Sequence, residues 1–134
     1  MPLNLHSRSA APQIFKLLDE FEYYQCLFHA YGGKAKTAVR YAKLGVCFSV
    51  PNTAAKEGAQ MQKLISLLPL ENIVLETDSP ALSFTPGGFN EPKNLEISAQ
   101  IISDIRKIPL NEVKAVTTAN AIRLFPKLKS LLRV

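Results

Sequence analysis

Residues 72–78 read Asn-Ile-Val-Leu-Glu-Thr-Asp, an apolar run that closes on two carboxylates, Glu76 and Asp78. Two other segments have the same form: residues 2–6, Pro-Leu-Asn-Leu-His, close on His6, and residues 25–30, Gln-Cys-Leu-Phe-His-Ala, close on His29. In an open sheet or barrel of parallel strands, the C-terminal ends of the strands form the rim on which sites are built. Imidazole nitrogens and carboxylate oxygens are also the donors that hydrolytic divalent metals accept. Recurrence at the ends of three strand-like segments therefore points to a site.

Between these runs the periodicity changes from two to about three and a half. Ile14, Leu17, Leu18 and Phe21 have the spacing of a helix with one buried face, and Pro12 suits its first turn, where a missing N–H costs nothing. Residues 34–44 predict a second helix, with Gly45 placed to supply the left-handed residue that often follows a helix. Val46 to Val50 reads as a strand stopped by Pro51. Met61, Leu64, Ile65 and Leu68 mark a third helix ended by Pro69, and Ile73 to Glu76 a fourth strand. Strands separated by helical crossovers imply parallel pairing and right-handed units, hence an α/β class. The loop at 79–92, with three prolines and two glycines, is long for a connector and is expected to line a site. Leu95, Ile101, Ile102 and Ile105 give the next helix its apolar face. A last helix, capped by Thr117 or Thr118 and holding Ala121, Leu124 and Phe125, is expected to stop at Pro126.

Bulk properties set limits. A chain of 134 residues is one domain by size, and 47% hydrophobic residues can form a core. The net charge of +5 favours polyanionic partners, although a solvated surface carries such an excess equally well. Several cations, Lys127, Lys129 and Arg133 among them, crowd the C-terminus. Cys26 and Cys47 lie in apolar runs without metal-ligand spacing and read as buried thiols. Residues 1–8 lack the basic-then-apolar pattern of a leader, and no apolar run approaches the ~20 residues of a membrane span. The expectation is a soluble protein of a reducing compartment, cytoplasmic or nuclear.

Residues 3–9 (LNLHSRS), 27–33 (LFHAYGG), 73–82 (IVLETDSPAL), 89–92 (FNEP) and 117–125 (TTANAIRLF) resemble, in order and approximate spacing, motifs of the C-terminal half of TatD-type metal-dependent deoxyribonucleases. The resemblance runs from Leu3 to about Leu128. It implies that residues 1–134 form a partial domain: the last four strand-and-helix units of a TIM (β/α)8 barrel, four parallel strands with flanking helices. It implies hydrolysis of DNA phosphodiester bonds with divalent metal ions, Mg or else Mn or Zn. His6 and His29 match metal-binding histidines, and Asp78 a metal ligand and candidate catalytic base. Glu76 shares the inward face with Asp78 and either hydrogen-bonds a ligand from behind or is an interior acid paired with Arg8 or a lysine. Arg8 either holds a substrate phosphate or is a solvated surface residue. Asn90 and Glu91 are expected to tie down the long loop, with a direct chemical role as the lesser alternative.

The family's first-strand His-x-His and fourth-strand Glu would precede Met1, and Gly32 stands where the family usually has Asp or Ser. The resemblance therefore implies about half a metal site, and a chain inactive alone. Two other readings stay open: a non-enzymatic isoform that binds a partner or polyanion, and a different hydrolase of the same barrel superfamily. Leu5, Phe28, Phe48 and Leu75 are expected to line an exposed inner face that drives association as a homodimer or with a complementing N-terminal half.

Overall fold

The computed structural model describes residues 1–131; Arg133, counted above among the C-terminal cations, lies outside them. The four strands are β1 (Leu3–His6), β2 (Cys26–His29), β3 (Cys47–Pro51) and β4 (Ile73–Glu76), all parallel and in the order β1-β2-β3-β4. Between them run α1 (Ala11–Glu20), α2 (Ala35–Ala42) and α3 (Ala59–Leu67); after β4 come α4 (Leu95–Arg106), α5 (Leu110–Leu124) and a short α6 (Leu128–Leu131). Pro12 sits in the first turn of α1, and Gly45 takes φ 106° after α2, a conformation that costs a residue with a Cβ. Among the described residues no helix is long and apolar enough to cross a membrane.

Side chains alternate across a strand, so each strand divides its residues between two faces. Phe28, Phe48 and Val50 point to the side covered by helices, where they join Phe15, Tyr41, Leu64, Ile65 and Ile102 in the main core. Here the structure corrects the sequence reading: Phe28 and Phe48 are 0% exposed, and Leu5 and Leu75 are half-buried against the same core. These four lie on the helix-covered face. The opposite, inner face carries Leu27, Cys47 and Val74 low on the strands and His6, His29 and Glu76 at the top. Assigning phase from rim residues alone put the wrong set inward, because His6 and Leu5 are neighbours and neighbours face opposite ways.

Three helices also differ from the sequence reading. In α1 the buried positions are Phe15 and Leu18, while Leu17 is 51% and Phe21 72% exposed. Phe15 wins the core position because its ring stacks on both Tyr41 (4.0 Å between centroids) and Phe28 (4.5 Å), which turns the flank bearing Leu17 and Phe21 outward. Leu95, expected on the buried face of α4, lies at its exposed start. The helix expected to begin at Thr117 or Thr118 begins at Leu110, where Pro109 holds φ −58°. Thr117 is inside α5 and donates its hydroxyl to Val113 O at 2.8 Å. Pro126 ends α5 but is followed by α6.

The inner face is partly closed from below. Leu124 of α5, with Ala121 and Phe125, packs on Leu27, Cys47 and Val74. The buried amide of Asn120 donates to Leu70 O (2.8 Å) and Ile73 O (2.7 Å), and Arg123 donates to Glu71 O. The TTANAIRLF segment thus holds a helix against the N-terminal end of β4, leaving the C-terminal rim open. Both cysteines are unpaired and buried; burial pushes the Cys26 thiol up to about 12 and also raises that of Cys47.

One position shows how tightly the core is set under the rim. A Cβ on Gly33 would lie 2.3 Å from the Tyr31 hydroxyl oxygen and 2.4 Å from Cζ, and the Tyr31 ring cannot yield because Phe28 and Phe48 hold it edge-on at 5.7 and 5.2 Å. Gly33→Ala is expected to lower stability by about 1–3 kcal/mol, the range for overpacking. Urea unfolding measures it, and an unchanged midpoint would mean that Tyr31 has room to move.

Candidate metal and catalytic site

His6 and His29 are directly opposed in the register of β1 and β2, which brings their rings to 5.4 Å between centroids. Glu76 lies two strands from His29, yet its Oε2 is 2.5 Å from His29 Nδ1. The residue between them explains the reach. Ser49 of β3, paired with Val74 and fully buried, presents a small side chain where a larger one would separate the pair. Its Oγ accepts from Ala30 N at 3.0 Å and donates to Phe28 O at 3.4 Å, holding the backbone on either side of His29. Sequence reasoning missed Ser49; a polar residue within the apolar VCFSV run was the available signal.

The chain leaves the strands through left-handed residues at Ser9 (φ 59°), Ala30 (42°) and Asp78 (55°). For Ala30 this costs about 1–2 kcal/mol, offset by its hydrogen bond to Ser49. At Asp78 the turn brings Oδ1 to 3.9 Å from His29 Nε2. His29 therefore stands between two carboxylates, one on each ring nitrogen. Because a carboxylate accepts, the short contact to Glu76 makes Nδ1 the donor and turns Nε2 toward Asp78 and the cleft. That cleft, about 600 Å³, is lined by His6, Arg8, His29 and Asp78. Arg8 is exposed at its edge. Glu76 Oε1 is buried and has no partner among the described residues.

The donor chemistry fits a divalent ion: a histidine with its tautomer set from behind, a second histidine beside it and a carboxylate across the gap. The set is incomplete, since among the described residues no three His, Cys, Asp or Glu side chains are grouped closely enough to hold a metal.

The loop expected to line the site is pinned by Asn90. Its amide donates to Thr77 O (2.7 Å), Ala81 O and Leu82 O, and its Oδ1 accepts from Asn52 (2.9 Å) and Asn94 (2.9 Å). These bonds bracket Asp78 on both sides. Glu91 is not part of this cluster; its carboxylate pairs with Lys93 at the surface. Asn52, fully buried at the end of β3, is the second residue the sequence did not signal. Asn90→Ala is expected to strand several buried carbonyls and cost about 1–3 kcal/mol. It should also open residues 79–89 to proteolysis. A loop as resistant as in the parent chain would show that Asn90 does not hold it.

Four parallel strands with outer helices and a rim of imidazole and carboxylate groups define an α/β architecture with its candidate site at the strand ends. The chain belongs to the TatD-related DNase family, whose sequence pattern matches residues 1–126. Over 133 residues it is 47% identical to mouse TATDN3 and 44% identical to human deoxyribonuclease TATDN3, covering 99% of this chain in both cases and 45% and 48% of those proteins. An uncharacterized metal-dependent hydrolase of Methanocaldococcus jannaschii is 32% identical over 126 residues, covering 94% of this chain and 49% of that protein. The crystal structure of the TatD homolog YjjV from Escherichia coli superposes with a TM-score of 0.80 at 22% identity, over 92% of this chain and 49% of that one. The chain spans about half the length of the curated relatives it matches.

Proposed function

We propose that this chain supplies one side of a divalent-metal deoxyribonuclease site, in which His6, His29 and Asp78 are the ligands contributed here. The observation that carries the reading is the pairing of His29 with Glu76 on one nitrogen and with Asp78 across the cleft on the other. A histidine so oriented from behind serves a metal better than it serves a packed core. The family membership and the relatives named deoxyribonuclease and metal-dependent hydrolase support the substrate and the metal class; Mg is the ion proposed, with Mn or Zn as substitutes.

When bound, the ion supplies charge for the phosphate oxygens and an acidified water. The protein groups do the rest. Glu76 holds the His29 ring in place by accepting from Nδ1 and so aims Nε2 at the cleft. Asp78, half exposed at the mouth, accepts the proton of the attacking water. Arg8, lining the same cleft, offers a planar fork that matches phosphate oxygens. Pro12 and Gly32 line the cleft without side chains that would compete for the phosphate. The remaining donors come from a complementing half, either in one polypeptide or as a separate chain.

The test joins residues 1–134 to the preceding half of a TATDN3 relative and follows cleavage of DNA with Mg, with Mn and with EDTA. Cleavage that needs the metal and stops in EDTA is expected. Metal-independent cleavage, or a folded, metal-binding protein that hydrolyses carboxylic esters or cyclic amides and leaves DNA intact, would overturn the proposal.

A further inference from the structure

We propose that the groove between α1 and α2 carries a single strand of nucleic acid out of the site, with its phosphates held by Lys16, Lys34 and Arg40. The proposal deepens the nuclease reading and takes its substrate class from it.

The groove, about 550 Å³, is continuous with the cleft: Ala11, Pro12 and Gly33 line both. Its floor is apolar, formed by Phe15, Tyr31 and Tyr41, and its rim bears three cations against one carboxylate, Asp19. That carboxylate is already engaged. Asp19 accepts from the Tyr41 hydroxyl at 2.6 Å and from the Tyr24 hydroxyl at 3.2 Å. Arg40 in turn donates to the Tyr41 hydroxyl at 2.9 Å and lies 4.6 Å from the centre of that ring, so its guanidinium is fixed at the groove wall. Lys16 and Lys34 are exposed. Among the described residues, lysine ion pairs form at Lys93 and Lys114, not at these two.

An apolar floor between cationic walls suits a strand whose bases lie on the floor while its phosphates face the walls. The volume falls within the range of roughly 300–1,000 Å³ that small-ligand pockets occupy, room for a nucleotide or two and too little for a duplex. An acidic peptide shares the charge, yet nothing would lead it into a phosphate-handling cleft. A strand that passes through the cleft must leave along some surface, and this groove begins at its edge.

The test is binding of a fluorescein-labelled oligodeoxythymidylate of about 12 nucleotides, within the ~4–16 usual for single-strand sites. EDTA is present, so neither metal nor cleavage contributes. Anisotropy is measured across a salt series with the 134-residue chain and with Lys16→Gln/Lys34→Gln/Arg40→Gln, whose fold is checked by circular dichroism. The triple variant is expected to bind at least about ten-fold more weakly and to show a salt slope shallower by about 2, from ~0.7 per lost single-strand phosphate contact. Lys127→Gln/Lys129→Gln should bind as the parent does, Arg40→Lys should recover part of the affinity, and polyglutamate should not displace the oligonucleotide. Unchanged affinity and slope in the triple variant would overturn the proposal, as would displacement by polyglutamate as effective as by unlabelled oligonucleotide. If the triple variant loses binding while the completed barrel fails to cut DNA, the groove stands and the nuclease reading falls. If the completed barrel cuts DNA equally well with and without the three cations, the groove falls and the nuclease reading stands.

Discussion

Asp78→Asn, placed in a protein that completes the barrel around residues 1–134, is expected to lose about two to four orders of magnitude in turnover, the range attributable to a positioned acid–base group. The amide keeps the shape and removes the charge that faces His29 Nε2 at 3.9 Å. It also removes the oxygen that accepts a proton. Stability should hardly move, within about 0.5 kcal/mol, because the side chain is 41% exposed and its left-handed backbone is as accessible to Asn as to Asp. Lys129→Ala, far along the chain at the surface, should alter neither quantity. Single-turnover cleavage and a thermal melt separate the two effects. A rate within a few-fold of the parent would remove Asp78 from the site, whereas a parallel fall in melting temperature would mean that the residue holds the fold.

The chain by itself is expected to show no metal-dependent cleavage above background, and a complementing half should restore it by at least about a hundred-fold, the scale of one positioned acid–base group. Two imidazoles and two carboxylates lie at the rim, one carboxylate, Glu76, being engaged by His29 Nδ1, and no three acidic, histidine or cysteine side chains among the described residues are close enough to enclose an ion. A singly held ion also lacks the paired charge that stabilises attacking and leaving oxygens together. The inner face is expected to need the same partner. Leu27, Cys47 and Val74 are covered by α5, but the upper strands carry His6 and Glu76, and among the described residues β1 and β4 are unpaired edges. Mixing the separately purified halves and following both activity and sedimentation tests this. Robust turnover by the 134-residue chain, after removal of contaminating nuclease, would show that it assembles a site unaided, for instance between two copies.

The resemblance of the motifs and the alternation of periodicities were legible because they are local. A parallel α/β fold follows from short apolar runs separated by amphipathic segments, and all four strands lie within a residue of their expected positions. His6, His29 and Asp78 could be placed at one rim because parallel strands put all their C-terminal ends on one side. Family membership followed from the same motifs. Which residues faced inward was not local. Leu5, Phe28, Phe48 and Leu75 belong to the helix-covered face, and the phase of a period-two pattern is set by what packs on each side. The role of TTANAIRLF was equally hidden: Asn120 and Arg123 answer carbonyls at Leu70, Glu71 and Ile73, about fifty residues away. For Glu76 the sequence offers both a supporting role and an interior ion pair with Arg8 or a lysine, and the structure places its carboxylate on His29. Only the tertiary structure could do so, since that contact crosses β3 and depends on Ser49 being small. Sequence alone thus specified which chemical groups reach the rim, through strand length and direction. Tertiary packing decided which groups touch, because contacts between strands depend on the size of the residue lying between them.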